Sequence, residues 1–194
     1  ASTDSAAYSV EGLPHPNRKG AGKGVMGTDE RLLLGFAAAH RAGGADGIYL
    51  FNFFVGGVWT GQPPLFSSID QLRDPAGMAG KPKTYSIMTG GHQLYLGESD
   101  GPIQVPQILA TRHQKAFDLL MGPEPAGLPV IVEVVVEGQQ AANDLSQIRL
   151  HLNEFPVGNA SEIKAIEGVA SDSPIRMVNF AVTSDWMHAG RNKL

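Results

Sequence analysis

Gly44-Ala-Asp-Gly-Ile-Tyr-Leu-Phe-Asn-Phe-Phe54 is the stretch on which the fold turns. From Ile48 onward it is an almost unbroken apolar run. A strand with one wet face alternates, whereas a parallel strand covered on both faces reads in this continuous way. Gly43 and Gly44, just ahead of it, supply the residue type that ends helices. Upstream, Leu33, Phe36, Ala37 and His40 recur at helical spacing and define one face. Thr28 has the chemistry of an N-cap, and Asp29 and Glu30 place negative charge in the first turn. Earlier still, Ala6 to Glu11 (AAYSVE) is a candidate strand, joined to the helix by a Gly-rich loop from Gly12 to Gly27. Downstream, a loop runs to about Ser68, and Asp74-Pro75 offers an N-cap followed by an N1 proline for a short helix. Strand, helix, strand, helix is the order of a parallel α/β sheet.

The pattern changes after about Thr89. Leu128 to Glu137 (LPVIVEVVVE) puts Val130, Val132, Val134 and Val136 on one face of a strand. Ile148, Leu150 and Leu152 alternate with Arg149, His151 and Asn153. Val178, Phe180 and Val182 alternate again, and Ala116 to Met121 is a further strand candidate. Gly190-Arg191-Asn192 reads as a turn after which Leu194 begins another strand. Period-two strands between polar and Gly-rich turns predict an antiparallel β-sandwich. The expected fold is therefore α/β plus all-β, with residues 1–89 in the first part and 90–194 in the second.

Composition bounds the function. The chain has 194 residues, of which 42% are hydrophobic and 18% charged, so it can bury a core. A net charge of -4 argues against a broad nucleic-acid surface. With no cysteine, disulfides, thiolate metal sites and a Cys nucleophile are excluded. No apolar run approaches the roughly 20 residues that span a bilayer. The first residues show neither a starting Met nor the regions of a signal peptide. Two β/α units cannot close a barrel and leave sheet edges open, so the rest of a barrel is expected upstream.

Tyr8-Ser-Val-Glu11, Gly27-Thr-Asp-Glu-Arg31 and Gly44 to Phe53 together resemble the end of a bacterial glycoside-hydrolase-like TIM-barrel family. Leu72-Arg73-Asp74-Pro75 and Lys83-Thr84-Tyr85 resemble its exit from the barrel. Leu152-Asn153 and Gly190-Arg191-Asn192 resemble the accessory sandwich that follows in that family. The resemblance implies that Ile48 to Phe53 is strand eight and Ala6 to Glu11 strand seven, so the chain would hold the last two β/α units of a TIM barrel. It also implies a secreted or periplasmic protein, a carbohydrate substrate and no cofactor; no metal signature is read, although Asp100, Asp144 and Asp172 lie in predicted loops where calcium could bind. Its partner would be the missing N-terminal part of the same barrel.

Under that resemblance Glu11 lies at the C-terminal end of strand seven, on the face where TIM barrels carry their chemistry. There a glutamate is the nucleophile of the similar retaining glycosidases. Its partner acid comes from strand four, which this chain does not contain. Separation of the two carboxyls, about 5–5.5 Å or more, decides retention or inversion. Without the resemblance, a Glu at a strand end is a solvated surface residue. Asn52, at the end of an apolar strand, either hydrogen-bonds a sugar hydroxyl or satisfies loop backbone. Tyr49 alternates with it on the other side of the strand and is a further sugar contact. Trp59, in the loop beyond, either stacks on a sugar face or packs its loop down. Arg18, with His15, Lys19 and Lys23, would draw an anionic sugar if its loop folds over the cleft; the plainer reading is a solvated basic loop. Gly20-Ala-Gly-Lys-Gly24 fails the spacing of a phosphate loop. The six histidines have no metal-ligand spacing. The leading expectation is a glycoside hydrolase acting on an extracellular polysaccharide. Its rivals are a non-catalytic carbohydrate-binding or scaffold protein with a degenerate barrel, and a TIM-barrel enzyme of another reaction class.

Overall fold

The computed structural model describes residues 2–4, 30–51, 66–87, 104–105, 107–110, 113–138, 145–166 and 173–194, with strands 2–4 and 49–51 described by their backbone. These residues form a mixed α/β structure, mostly strands, and contain no closed barrel. No helix among them is long and apolar enough to cross a membrane.

Strands β1 (Ser2–Asp4) and β2 (Tyr49–Phe51) pair in parallel, Ser2 with Tyr49 and Asp4 with Phe51. Helix α1 (Glu30–Ala42) lies between them in sequence. The first strand is found before the predicted span 6–11, which lies outside the described residues, as do Thr28 and Asp29. The apolar run supplies β2 as predicted, and Tyr49–Phe51 is the part of it that lies in a strand among the described residues.

The helix stops where its glycines require. Ala45 N–H donates to the His40 carbonyl at 3.0 Å and Gly44 N–H to that of Arg41 at 3.1 Å. This is the doubled bond of a Schellman cap, and Gly44 takes the left-handed φ of +93° that the cap demands. The buried face differs from the predicted one. Leu33 and Ala37 are in the core, but so are Leu34, Ala38 and Ala39, whereas Phe36 and His40 are half-buried. Those two pair with each other, ring centroids 4.1 Å apart. Two neighbours cover α1 where a single sheet was expected, so apolar residues are needed around most of its circumference.

The first neighbour is the segment from Phe66 to Ile87. It contains α2 (Phe66–Ile69), a 3-10 turn (Asp70–Arg73) and α3 (Pro75–Met78). Asp74 caps α3 as its sequence predicts, its Oδ1 accepting from Ala76 N–H at 3.0 Å. Leu72 and Met78 join Leu33, Leu34, Ala37 and Ala38 in one core. Past α3 the backbone crosses α1 at Gly35, where a Cβ would stand 2.1 Å from the Thr84 carbonyl oxygen.

The second neighbour is β3 (Asp118–Met121). Here a Cβ on Gly122 would come within 2.7 Å of the Ala38 Cβ, and Gly43 faces Leu120. Small residues on both sides bring strand and helix into close contact.

The second half is antiparallel, as expected. β4 (Pro129–Glu137), β8 (Ile175–Thr183) and β7 (Glu162–Ala165) form one sheet in the order β4-β8-β7. β5 (Leu150–Leu152) and β6 (Phe155–Gly158) make a hairpin, and β3 pairs with β9 (Gly190–Lys193). Val178, Phe180 and Leu150 centre a second core, against which Val132, Val134, Val157 and Leu194 pack. Of the Ile148, Leu150, Leu152 alternation, only the last two lie in a strand.

Residues 190–192 are not a turn; they are the paired strand β9. Asn192 puts its turn chemistry inside the fold. Fully buried, it donates to the His188 carbonyl at 2.8 Å and accepts from His188 N–H at 3.0 Å, so it holds the preceding bend from within. Asn153, at φ +54°, donates to Asn192 Oδ1 at 3.0 Å and to the Trp186 carbonyl at 2.8 Å. The motifs at 152–153 and 190–192 thus form one hydrogen-bonded unit. Leu194 extends β9, exchanging two main-chain bonds of 2.8 Å with Phe117.

Candidate functional site

Of the five residues singled out by sequence, Glu11, Arg18, Asn52 and Trp59 lie outside the described residues, and Tyr49 is placed by its backbone alone. The described residues give the sheet and helix that flank these positions in sequence. β1 and β2 are parallel and in register, so their carboxyl ends, Asp4 and Phe51, open at one edge. In α/β sheets this edge receives ligands.

The segment that begins at Phe66 meets α1 at a polar junction. Glu30, in the first turn of α1, accepts from the fully buried Ser68 hydroxyl at 2.8 Å and from Gln71 Nε2 at 3.1 Å. Gln71 in turn accepts from Lys81 Nζ at 2.7 Å. Glu30 is thus both a favourable charge at a helix start and an anchor for the segment that begins at Phe66.

A second polar cluster, centred on Glu124, was not anticipated. Glu124 lies between Pro123 and Pro125 in the connection from β3 to β4. Its carboxylate accepts from Gly80 N–H at 2.9 Å and from the Tyr85 hydroxyl at 2.6 Å, and pairs with Lys83 Nζ at 2.8 Å. The side chains of Lys83 and Glu124 are 2% and 12% exposed, so the ion pair is buried. Lys83 also donates to the carbonyls of Met78 and Lys81. Burial, then the hydrogen bond and charge of Glu124, push the Tyr85 hydroxyl well above its ordinary pKa, against a smaller opposing effect of the Gly122 backbone.

The chemistry open to this cluster is narrow. The Lys83 amino group is committed to the Met78 and Lys81 carbonyls and the Glu124 carboxylate, which leaves it no open side toward a ligand. Tyr85 is held neutral and donates to a carboxylate that is already committed. The cluster therefore ties the segment 78–85 to the strand half. The Pro-Glu-Pro sequence was a usable signal for it, because two prolines fix the backbone around a charged residue. Its partners, some forty positions away, gave none.

His40 is half-buried against Phe36, and burial lowers its pKa, which keeps the ring neutral near pH 7. No group of three or more His, Asp or Glu side chains that could hold a metal occurs among the described residues. No protein-family model and no curated protein matches this sequence.

Proposed function

We propose that this chain forms the closing β/α units of a glycoside-hydrolase-like TIM barrel followed by a β-sandwich, and acts on an extracellular polysaccharide. Glu11 is the nucleophile or general base, and Asn52, Trp59, Tyr49 and Arg18 contact the sugar. The observation that supports this reading is the parallel pairing of β1 with β2, which flank α1 in sequence and align their carboxyl ends, Asp4 beside Phe51. A carboxylate near that edge fits a reaction that needs a group able to attack, or to activate water against, an anomeric carbon.

The test is release of reducing ends from anionic polysaccharides such as alginate by the full-length native protein, with Glu11→Gln beside it. A loss of at least about 100-fold in kcat, with polysaccharide still bound, is expected. Binding without hydrolysis by the unmodified protein would establish the non-catalytic reading instead.

A further inference from the structure

We infer that the outer edge of β4 is a docking site for an extended peptide strand that carries apolar residues alternating with Lys or Arg. The inference is independent of the glycosidase reading.

The register fixes which main-chain groups are available. β4 and β8 pair without a bulge, from Pro129 opposite Thr183 to Glu137 opposite Ile175. Ser184 N–H donates to the Leu128 carbonyl, and Gly138 N–H to that of Pro174, so the even-numbered residues of β4 bond to β8. Ile166 N–H donates to the Ile175 carbonyl, which agrees: odd residues of β8 serve β7. The N–H and C=O groups of Ile131, Glu133 and Val135 therefore point away from the sheet. Pro129 heads the strand with its missing N–H on that same outer side, where proline costs no ladder bond. No strand pairs with this edge among the described residues.

The side chains say what would fit. Val130, Val132, Val134 and Val136 face the core but are only half-buried, whereas Val178, Phe180 and Val182 on the central strand are buried. Apolar residues on an added strand would cover them. On the other face, Ile131 and Val135 are each 54% exposed and flank Glu133. Glu133 has no ion-pair or hydrogen-bond partner among the described residues. The only cation that these three strands place on that face, Lys164, is held by Glu162 at 2.8 Å. A Lys or Arg opposite Glu133 completes the charge.

A second copy fits less well. Antiparallel self-pairing centred on β4 sets Glu133 against its own mate. Shifting by one pair in either direction leaves that mate diagonal to it, within reach of long side chains. The partner is thus a basic strand, bound by main-chain hydrogen bonds with side-chain selection at alternate positions.

Amide exchange followed by NMR on the full chain tests this first. The N–H groups of Ile131, Glu133 and Val135 should exchange fast, and those of Val132, Val134 and Val136 slowly. A fluorescein-labelled Lys-Val-Lys-Val-Lys-Val-Lys peptide should slow the fast set, and its Glu-Val counterpart should not bind. Glu133→Lys should weaken binding by at least about tenfold, and Glu133→Pro should abolish it while sparing the β8 ladder. Protection of the odd-numbered amides in the free monomer would overturn the inference. So would a dimer in sedimentation that accounts for such protection, no peptide binding at about 1 mM, or binding indifferent to Glu133→Lys.

Discussion

Gly35 shows how much one missing Cβ can decide. The chain at Thr84 crosses α1 so closely that an alanine at position 35 would put its Cβ 2.1 Å from a main-chain oxygen, which no side-chain rotation relieves. Gly35→Ala should raise helix propensity by about 1 kcal/mol and still lower stability by about 2 kcal/mol or more, read as a lower urea midpoint. Glu124 is a second such residue. Glu124→Gln leaves the Lys83 ammonium buried without its counter-ion and should cost about 3–5 kcal/mol; pairing it with Lys83→Met should recover much of that. A double variant as unstable as the single one would show that shape, not charge, holds the junction. Tyr85 gives the junction a pH signature. Its folded pKa lies above the unfolded value of 10.0, so its contribution is complete below pH 10 and is lost as the pH rises further. The slope is at most about 1.4 kcal/mol per unit, reduced by solvent screening because the ring is partly exposed. Tyr85→Phe should flatten this alkaline limb of the denaturation curve relative to the parent.

Among the elements, those written in local sequence were legible. The Gly43-Gly44 stop, the Asp74-Pro75 start and the alternation of Val178, Phe180 and Val182 all take their predicted forms. Each needs only a few adjacent residues to be read. Gly44→Ala, at φ +93°, should cost about 1 kcal/mol and fray the last turn, seen as faster exchange of the Gly44 and Ala45 amides. What was misread depended on distant partners. The core face of α1 was placed near Phe36 and His40 because periodicity cannot say that two elements, Phe66–Ile87 and β3, cover the helix. Gly190 to Asn192 has turn residues but lies in a strand, because Asn192 finds its hydrogen bonds inside the fold. β7 was missed because all four of its side chains are exposed and carry no apolar alternation. Of the candidate site, sequence gave residue types and an edge, and geometry describes that edge alone.

In the molecule as a whole, the two halves recognised in the sequence share α1. Its start is held by Ser68 and Gln71, and its later turns meet β3 through Ala38 and Gly122. The Glu124 junction adds a third tie. The halves should therefore unfold together: loss of helical circular dichroism and the emission change of Trp186, read in a Trp59→Phe background, should coincide in urea. Two separate midpoints would mean that the contact on α1 is weaker than its close packing implies. That contact also sets a schedule for the growing polypeptide. More than eighty positions separate Ala38 from Gly122, so at about 5–20 residues per second the helix leaves the ribosome roughly 4–17 s before its second cover is made. During that interval the face of Ala38 that meets Gly122 lacks its cover, and a binder of nascent chains would find it there.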